Sequence, residues 1–264
     1  MICCPVSAIV YNIVGIAPLF VINAVSFFAA AVMETQIKAK ENYIDVQKEN
    51  MSADKSHTKV MFKDIKEGLA YLMQEKGLLA VAIYFAFSCL AMGASSVITL
   101  PYFKGNYENG EFVYMFVWGM SVIGRTIGGT ILYRIKFPVK WKYTIALVTY
   151  ITVNIVEGIY LYLNIPTMMT LCFISGLLGV TSYNIRVSAT QSYVPDEKKG
   201  RFNGAFNMLN TSGSLAGEVI AGALTVFLPV RWVLSGFMGL AAIAAIIVIG
   251  GNRDAVKKIY NREQ

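Results

Sequence analysis

Histidine occurs once in this chain, at position 57 within a polar stretch, and no two of its His, Cys, Asp or Glu residues stand at a convincing metal-ligand spacing. A lone imidazole in a linker reads as a solvated side chain, so no metal and no cofactor is expected. An intramembrane enzyme would need a nucleophile with its base, or a metal set, at depth. Neither is present, and the chain is read as not an enzyme. Cysteine is also sparse, and Cys3, Cys4, Cys89 and Cys172 all lie in apolar stretches. They behave as small hydrophobes and form no disulfide framework. Acidic residues are outnumbered, 16 against 23 Lys and Arg, for a net charge of +7. Polar helix faces, which a soluble domain of this size would show, are largely missing.

What the chain has in place of these is length of apolar sequence. Six stretches, 77–103, 112–133, 143–163, 167–190, 204–228 and 230–251, each approach or exceed 20 residues. A helix of that length rises ~30 Å, the thickness of a bilayer's hydrocarbon core. The mean hydropathy of +0.54 agrees. The expected fold is all-α, a polytopic membrane helical bundle, with the lipid bilayer as its first partner. The basic residues alternate by connector. Eight lysines lie between Glu34 and Lys76, four basic residues lie in 134–142, three in 194–203 and four in the tail. The intervening connectors hold only Lys104 and Arg231. That alternation is the positive-inside pattern, and it puts the C-terminus in the cytoplasm of a multi-pass cell-membrane protein. The positive charge is thus a topological signal, and no nucleic-acid partner is expected.

Residues 1–34 divide into an irregular apolar start, 1–12, and one span over 14–33. At ~18 Å the first piece is about half a crossing. Sliding 4–34 onto 217–247 aligns two apolar runs, each broken by a proline, as parallel transporter repeats would. Met1 then stands opposite Ser214, so the chain is expected to begin inside a helix. Residues 35–76 read as a cytoplasmic linker. Its last part, Val60 to Lys76, places Phe62, Ile65, Leu69 and Leu72 at helical spacing opposite Lys63, Lys66, Glu67 and Gln74. That is an amphipathic helix lying along the interface or packed on a neighbour. A six-helix bundle over 77–251 and a cytoplasmic tail over 252–264 complete the organisation.

Three stretches carry a family likeness. They are Phe62-Lys63-Asp64-Ile65-Lys66-Glu67-Gly68-Leu69-Ala70-Tyr71-Leu72, Val194-Pro195-Asp196-Glu197-Lys198-Lys199-Gly200-Arg201 and Phe20-Val21-Ile22-Asn23-Ala24-Val25-Ser26-Phe27-Phe28. In that light the chain resembles the later part of a major facilitator superfamily permease, of the bacterial drug (macrolide-type) efflux branch. The stretches look like the helix before the seventh span, the connector between the tenth and eleventh, and the sixth span. Cys4-Pro5-Val6-Ser7-Ala8-Ile9 keeps only the proline of the branch's Gly-Pro-x-x-Gly-Gly ending of the fifth span. The resemblance implies the C-terminal six-helix half of that fold plus the sixth span and a stump of the fifth. It implies an antiporter exchanging a small lipophilic solute against protons, provided a missing N-terminal half completes the cavity. The competing reading is a membrane-embedded remnant, or a membrane protein that binds a partner.

Ionisable residues inside a span cost about 2.5–3.5 kcal/mol each, so they face protein or water. Glu218, near the centre of 204–228, is the first candidate for a proton carrier; the alternative is a carboxyl bonded to a neighbouring Asn or Ser. Arg125 can hold the partner charge or bridge to backbone carbonyls. Glu157 can couple protons or snorkel to the outer surface, and Arg186 is expected to reach the cytoplasmic interface. Asn154, Asn184, Asn207 and Asn210 can line a cavity or bond across helices, and Tyr150 and Tyr183 can stack on a solute. Gly124, Gly128, Gly213, Gly217 and Gly222 are expected at close helix–helix contacts.

Overall fold

The computed structural model describes residues 15–36, 57–134 and 137–262, with no strand among them. The chain divides into two units, Met1–Lys63 and Asp64–Gln264. The first contains α1, Ile16–Glu34, entered through Gly15 at φ +81° and carrying Pro18 in its first turn. Proline is harmless there because a first-turn N–H has no partner within the helix. The expected half-span over 1–12 lies outside the described residues, as do Cys3, Cys4 and 37–56 of the linker.

Helix α2, His57–Gln74, opens at His57, ahead of Val60 where the amphipathic pattern begins. Its part within the second unit packs on the start of a later helix. Glu67 pairs with Arg201 at 2.7 Å, Lys198 lies 4.7 Å from the Tyr71 ring centre, and Gly68 abuts the Arg201 carbonyl. Of the two readings of this amphipathic segment, docking on a neighbour is the one the geometry shows.

The second unit continues with α3 (Lys76–Asn106), α4 (Gly110–Arg134), α5 (Lys142–Ile159, prolonged by a 3-10 turn to Tyr162), α6 (Ile165–Tyr193), α7 (Asp196–Leu224), α8 (Val230–Ala244, continued as π-helix to Gly250) and α9 (Arg253–Tyr260). The connectors are short for physical reasons. Between α3 and α4 only Tyr107, Glu108 and Asn109 lie outside helix, and Asn109 takes φ +57°, a left-handed turn that asparagine tolerates. Asn164 caps α6, its Oδ1 accepting from the Thr167 N–H at 3.1 Å, with Pro166 in the first turn. At the start of α7 the Lys199 ammonium, 2.6 Å from Asp196, holds that carboxyl below the usual carboxylate range.

Five helices, Lys76–Asn106, Gly110–Arg134, Val139–Tyr162, Ile165–Tyr193 and Val230–Gly250, are long and apolar enough to cross a membrane. Helix α7, expected as a sixth apolar span, has the length but not the composition, because Asn203, Asn207, Asn210, Thr211, Ser212 and Ser214 interrupt it. It packs along α3, while α4 packs along α6. Both pairs run parallel and touch through glycine. A Cβ on Gly213 would lie 2.5 Å from the Ala86 carbonyl oxygen, on Gly217 1.9 Å from that of Leu90, and on Gly93 2.1 Å from that of Ser214. The second pair repeats the arrangement, with Gly124 facing Phe173, Gly128 facing Leu177 and Val180, and Gly176 facing Ser121. Gly222, expected in such a seam, has nothing within 4 Å of its would-be Cβ and takes no part. Five residues beyond Gly217, it falls on another face of α7, while its neighbour Ala221 is the residue buried against α3.

The tail is likewise no loose extension. Val256, Ile259 and Tyr260 of α9 are buried in the core formed with α3, α5 and α7.

Candidate functional site

Two polar layers cross the second unit. The first lies ~10–15 Å from the basic ends of α3, α5, α6 and α7, counted at 1.5 Å per residue. Its centre is Arg186 of α6. The guanidinium carbon lies 4.7 Å from the Phe85 ring centre, 5.0 Å from Tyr183 and 5.0 Å from Phe206. Each such contact is worth about 0.5–2 kcal/mol, which offsets part of the cost of a charge at this depth. The expectation that Arg186 snorkels to the interface is therefore not met, because three rings from three helices hold it inside. Behind half-buried Phe85, and in contact with it, lie the buried rings of Tyr84 and Tyr150, centred 4.5 Å apart.

Two residues expected to line a cavity belong to this packing instead. Asn154 is 5% exposed; its Nδ2 donates to the Tyr150 carbonyl at 2.7 Å and to Tyr84 Oη at 3.3 Å. Tyr150 is 3% exposed and shares a 2.9 Å hydroxyl–hydroxyl hydrogen bond with Tyr260. A buried amide and phenol find partners inside, since water is not at hand to serve them. Asn184, Asn207 and Tyr183 do lie exposed, and Asn210 is half-buried with its Oδ1 enclosed and unpartnered among the described residues.

The second layer joins α4, α5 and α6. Ser175 Oγ donates to Glu157 Oε1 at 2.5 Å, and Arg125 acts on the same carboxylate electrostatically without a direct ion pair. Glu157 thus turns inward to α6, and the outward snorkelling weighed from sequence does not occur. Glu218 stands apart on α7, where among the described residues its carboxylate accepts only from Ser214 Oγ of its own helix, at 3.3 Å. The structure joins Glu157 to Ser175, leaves Arg125 within electrostatic reach of that carboxylate, and sets Glu218 apart. Sequence reasoning missed Ser175, Phe85 and Phe206, which look like ordinary span residues; only the in-span charges signalled the layers.

The opposite end is closed by a satisfied cation. Arg231 Nε donates to Tyr102 Oη at 2.7 Å and Nη2 donates to the same atom, while Ser235 Oγ ties α8 to the Gly158 carbonyl at 2.7 Å. The described residues include no group of three or more His, Cys, Asp or Glu side chains that could hold a metal ion.

Charged groups held between long apolar helices mark solute or ion pathways through lipid. The family model for the Major Facilitator Superfamily matches residues 1–218, from the start of the chain to Glu218 in α7. The chain belongs to the Major Facilitator Superfamily. This superfamily member is accordingly a multi-pass transmembrane transporter and not an enzyme. No curated protein and no solved structure matches it.

Proposed function

We propose that this transporter moves small lipophilic, drug-like solutes out of the cell in exchange for protons, by alternating access, as the macrolide-type branch it resembles would. The observation that supports this reading is the Glu157–Ser175–Arg125 cluster. Protonating Glu157 cancels its attraction to Arg125 and turns an acceptor into a donor toward Ser175, so α4, α5 and α6 lose one arrangement and gain another. The glycine seams give the helix pairs the rigidity to move as bodies. Glu218, with one weak partner, is the second candidate for the carrier.

The test is solute-driven proton flux, read by acridine quenching in vesicles carrying the chain alone or with a six-span first repeat supplied in trans. Flux is expected, and Glu157→Gln should abolish it while insertion and gel-filtration profile are unchanged. If Glu218→Gln abolishes it and Glu157→Gln does not, coupling belongs to α7. Absence of flux in both arms would sink the transport reading and favour a partner-binding membrane protein. The charge pattern further implies that a tag at Glu108 is reachable from outside the cell membrane and one at exposed Lys258 only from the cytoplasm. Labelling of intact cells with an impermeant reagent checks this, and equal labelling of the two tags would overturn the topology.

A further inference from the structure

Arg186 and Arg231 both sit against aromatic rings, yet they are not equivalent. Arg231 also donates to Tyr102 Oη, so its charge is held by hydrogen bonds as well as by ring faces. Among the described residues Arg186 has the rings alone. Its buried Nε has no hydrogen-bond partner, and no carboxylate among the described residues lies within ion-pair distance. Ring faces attract a cation but offer no lone pair to its N–H groups. A guanidinium held only for packing would be expected to end on a carbonyl or a hydroxyl, as Arg231 does.

Three further facts concern what would complete it. Nε and its neighbouring Nη form one flat edge, and such an edge takes a carboxylate by two parallel hydrogen bonds. One wall of the cage is Tyr183, which is 56% exposed and adjoins exposed Asn184. One helical turn beyond Phe206 on the same face of α7 is Asn210, whose buried Oδ1 also lacks a partner. An unsatisfied donor on α6 and an unsatisfied acceptor on α7 are therefore linked through Phe206, which touches the first and stands one turn from the second.

We propose that Arg186, with Phe85, Tyr183 and Phe206 around it, is a binding site for an amphiphilic organic anion. Its carboxylate sits on the Nε edge, its apolar or aromatic body lies along the rings, and Asn210 accepts from a donor group further along it. This rests on the transport reading and narrows its solute class, from lipophilic molecules in general to those carrying one negative charge.

The experiment is isothermal titration of the full chain in detergent with 1-naphthoate and with 1-naphthamide, which share a ring system and differ in charge. Naphthoate is expected to bind at least tenfold more tightly, and Arg186→Gln to bring the two to parity. Arg186→Lys, which keeps the charge but lacks the flat edge, should keep only part of the preference. Equal affinity of the wild-type chain for both compounds, or a preference that survives in Arg186→Gln, overturns the proposal. The wild-type comparison decides even where the Gln variant does not purify. A naphthoate preference without vesicle flux would sink the transport reading alone, and flux without a preference would sink this one.

Discussion

Gly217→Val should prevent the chain from accumulating as a monodisperse species in detergent, and Gly217→Ala should lower its melting temperature sharply. The reason is geometric. A Cβ at 217 would lie 1.9 Å from the Leu90 carbonyl oxygen and 3.0 Å from the Ala94 nitrogen, and both are backbone atoms that no rotamer change can move. The α3 and α7 backbones must then separate, which opens the seam at Gly93 and Gly213 as well. Overpacking alone costs about 1–3 kcal/mol. Here the loss of the neighbouring contacts adds to it, and lipid supplies no hydrophobic drive to hold the helices together. Gly222→Ala, on the same helix but in open space, is the control and should change nothing. Fluorescence-detected gel filtration with a thermal ramp reads all three variants. A Gly217→Ala protein as stable as Gly222→Ala would show that the seam does not hold the pair.

How far the sequence reveals this fold depends on which signal each element carries. Apolar run length located α3 to α6 and α8, because a membrane-length helix must be apolar nearly throughout. Helix α7 broke that rule. Its 29 residues follow the same geometry, but its Asn and Ser content serves a face that packs on α3 or stays polar, so hydropathy ranks it below its neighbours. Boundaries slipped where a helix outlasts its apolar stretch: α3 continues through Lys104 to Asn106, and α6 to Tyr193. The glycine spacing was legible as a pattern, yet the pattern alone does not tell a seam from open space, and Gly222 fell on the wrong side.

For the candidate site the signal was charge at depth. It picked out Arg125, Glu157, Arg186 and Glu218, because an ion in a span needs a reason to be there. The partners were illegible, since they come from other helices. Ser175 meets Glu157 across 18 residues, and Phe85 meets Arg186 across most of the bundle. Asn154 and Tyr150 illustrate the converse. An asparagine in a span is equally suited to a cavity or to a buried bond, and only the packing of α5 against α3 decides for the bond.

Removing residues 253–264, or replacing Ile259 by Asp, should destabilise the whole second unit, although the sequence presents this segment as a charged tail. Val256, Ile259 and Tyr260 are 0–1% exposed, and fully burying such side chains is worth about 1.5–3 kcal/mol each. The contacts join three helices. Gly77 of α3 admits the Ala255 carbonyl and Ile259 Cδ1, which a Cβ there would strike at 2.6 and 2.7 Å. Asn261 bonds the Tyr143 N–H at 3.0 Å and the Lys140 carbonyl at 3.2 Å, and Tyr260 reaches Tyr150 Oη at 2.9 Å. The α9 helix is therefore a strap across the basic ends of α3 and α5, directly behind the Arg186 layer. Lys258→Asp, on its exposed face, should leave the melting temperature unchanged. Burial also pushes the Tyr260 phenol up to about 12 from its ordinary 10.0, against smaller opposing effects of Tyr150 and Arg186. The folded state thus favours the neutral phenol, and the unfolded chain ionises first. That share of stability is complete below pH ~10 and is lost as pH rises toward 12. Tyr260→Phe cannot ionise, so its melting temperature should fall less steeply over that interval than the wild type's. Parallel curves for the two proteins, or a truncated chain that melts like the intact one, would mean that α9 only rests on the bundle.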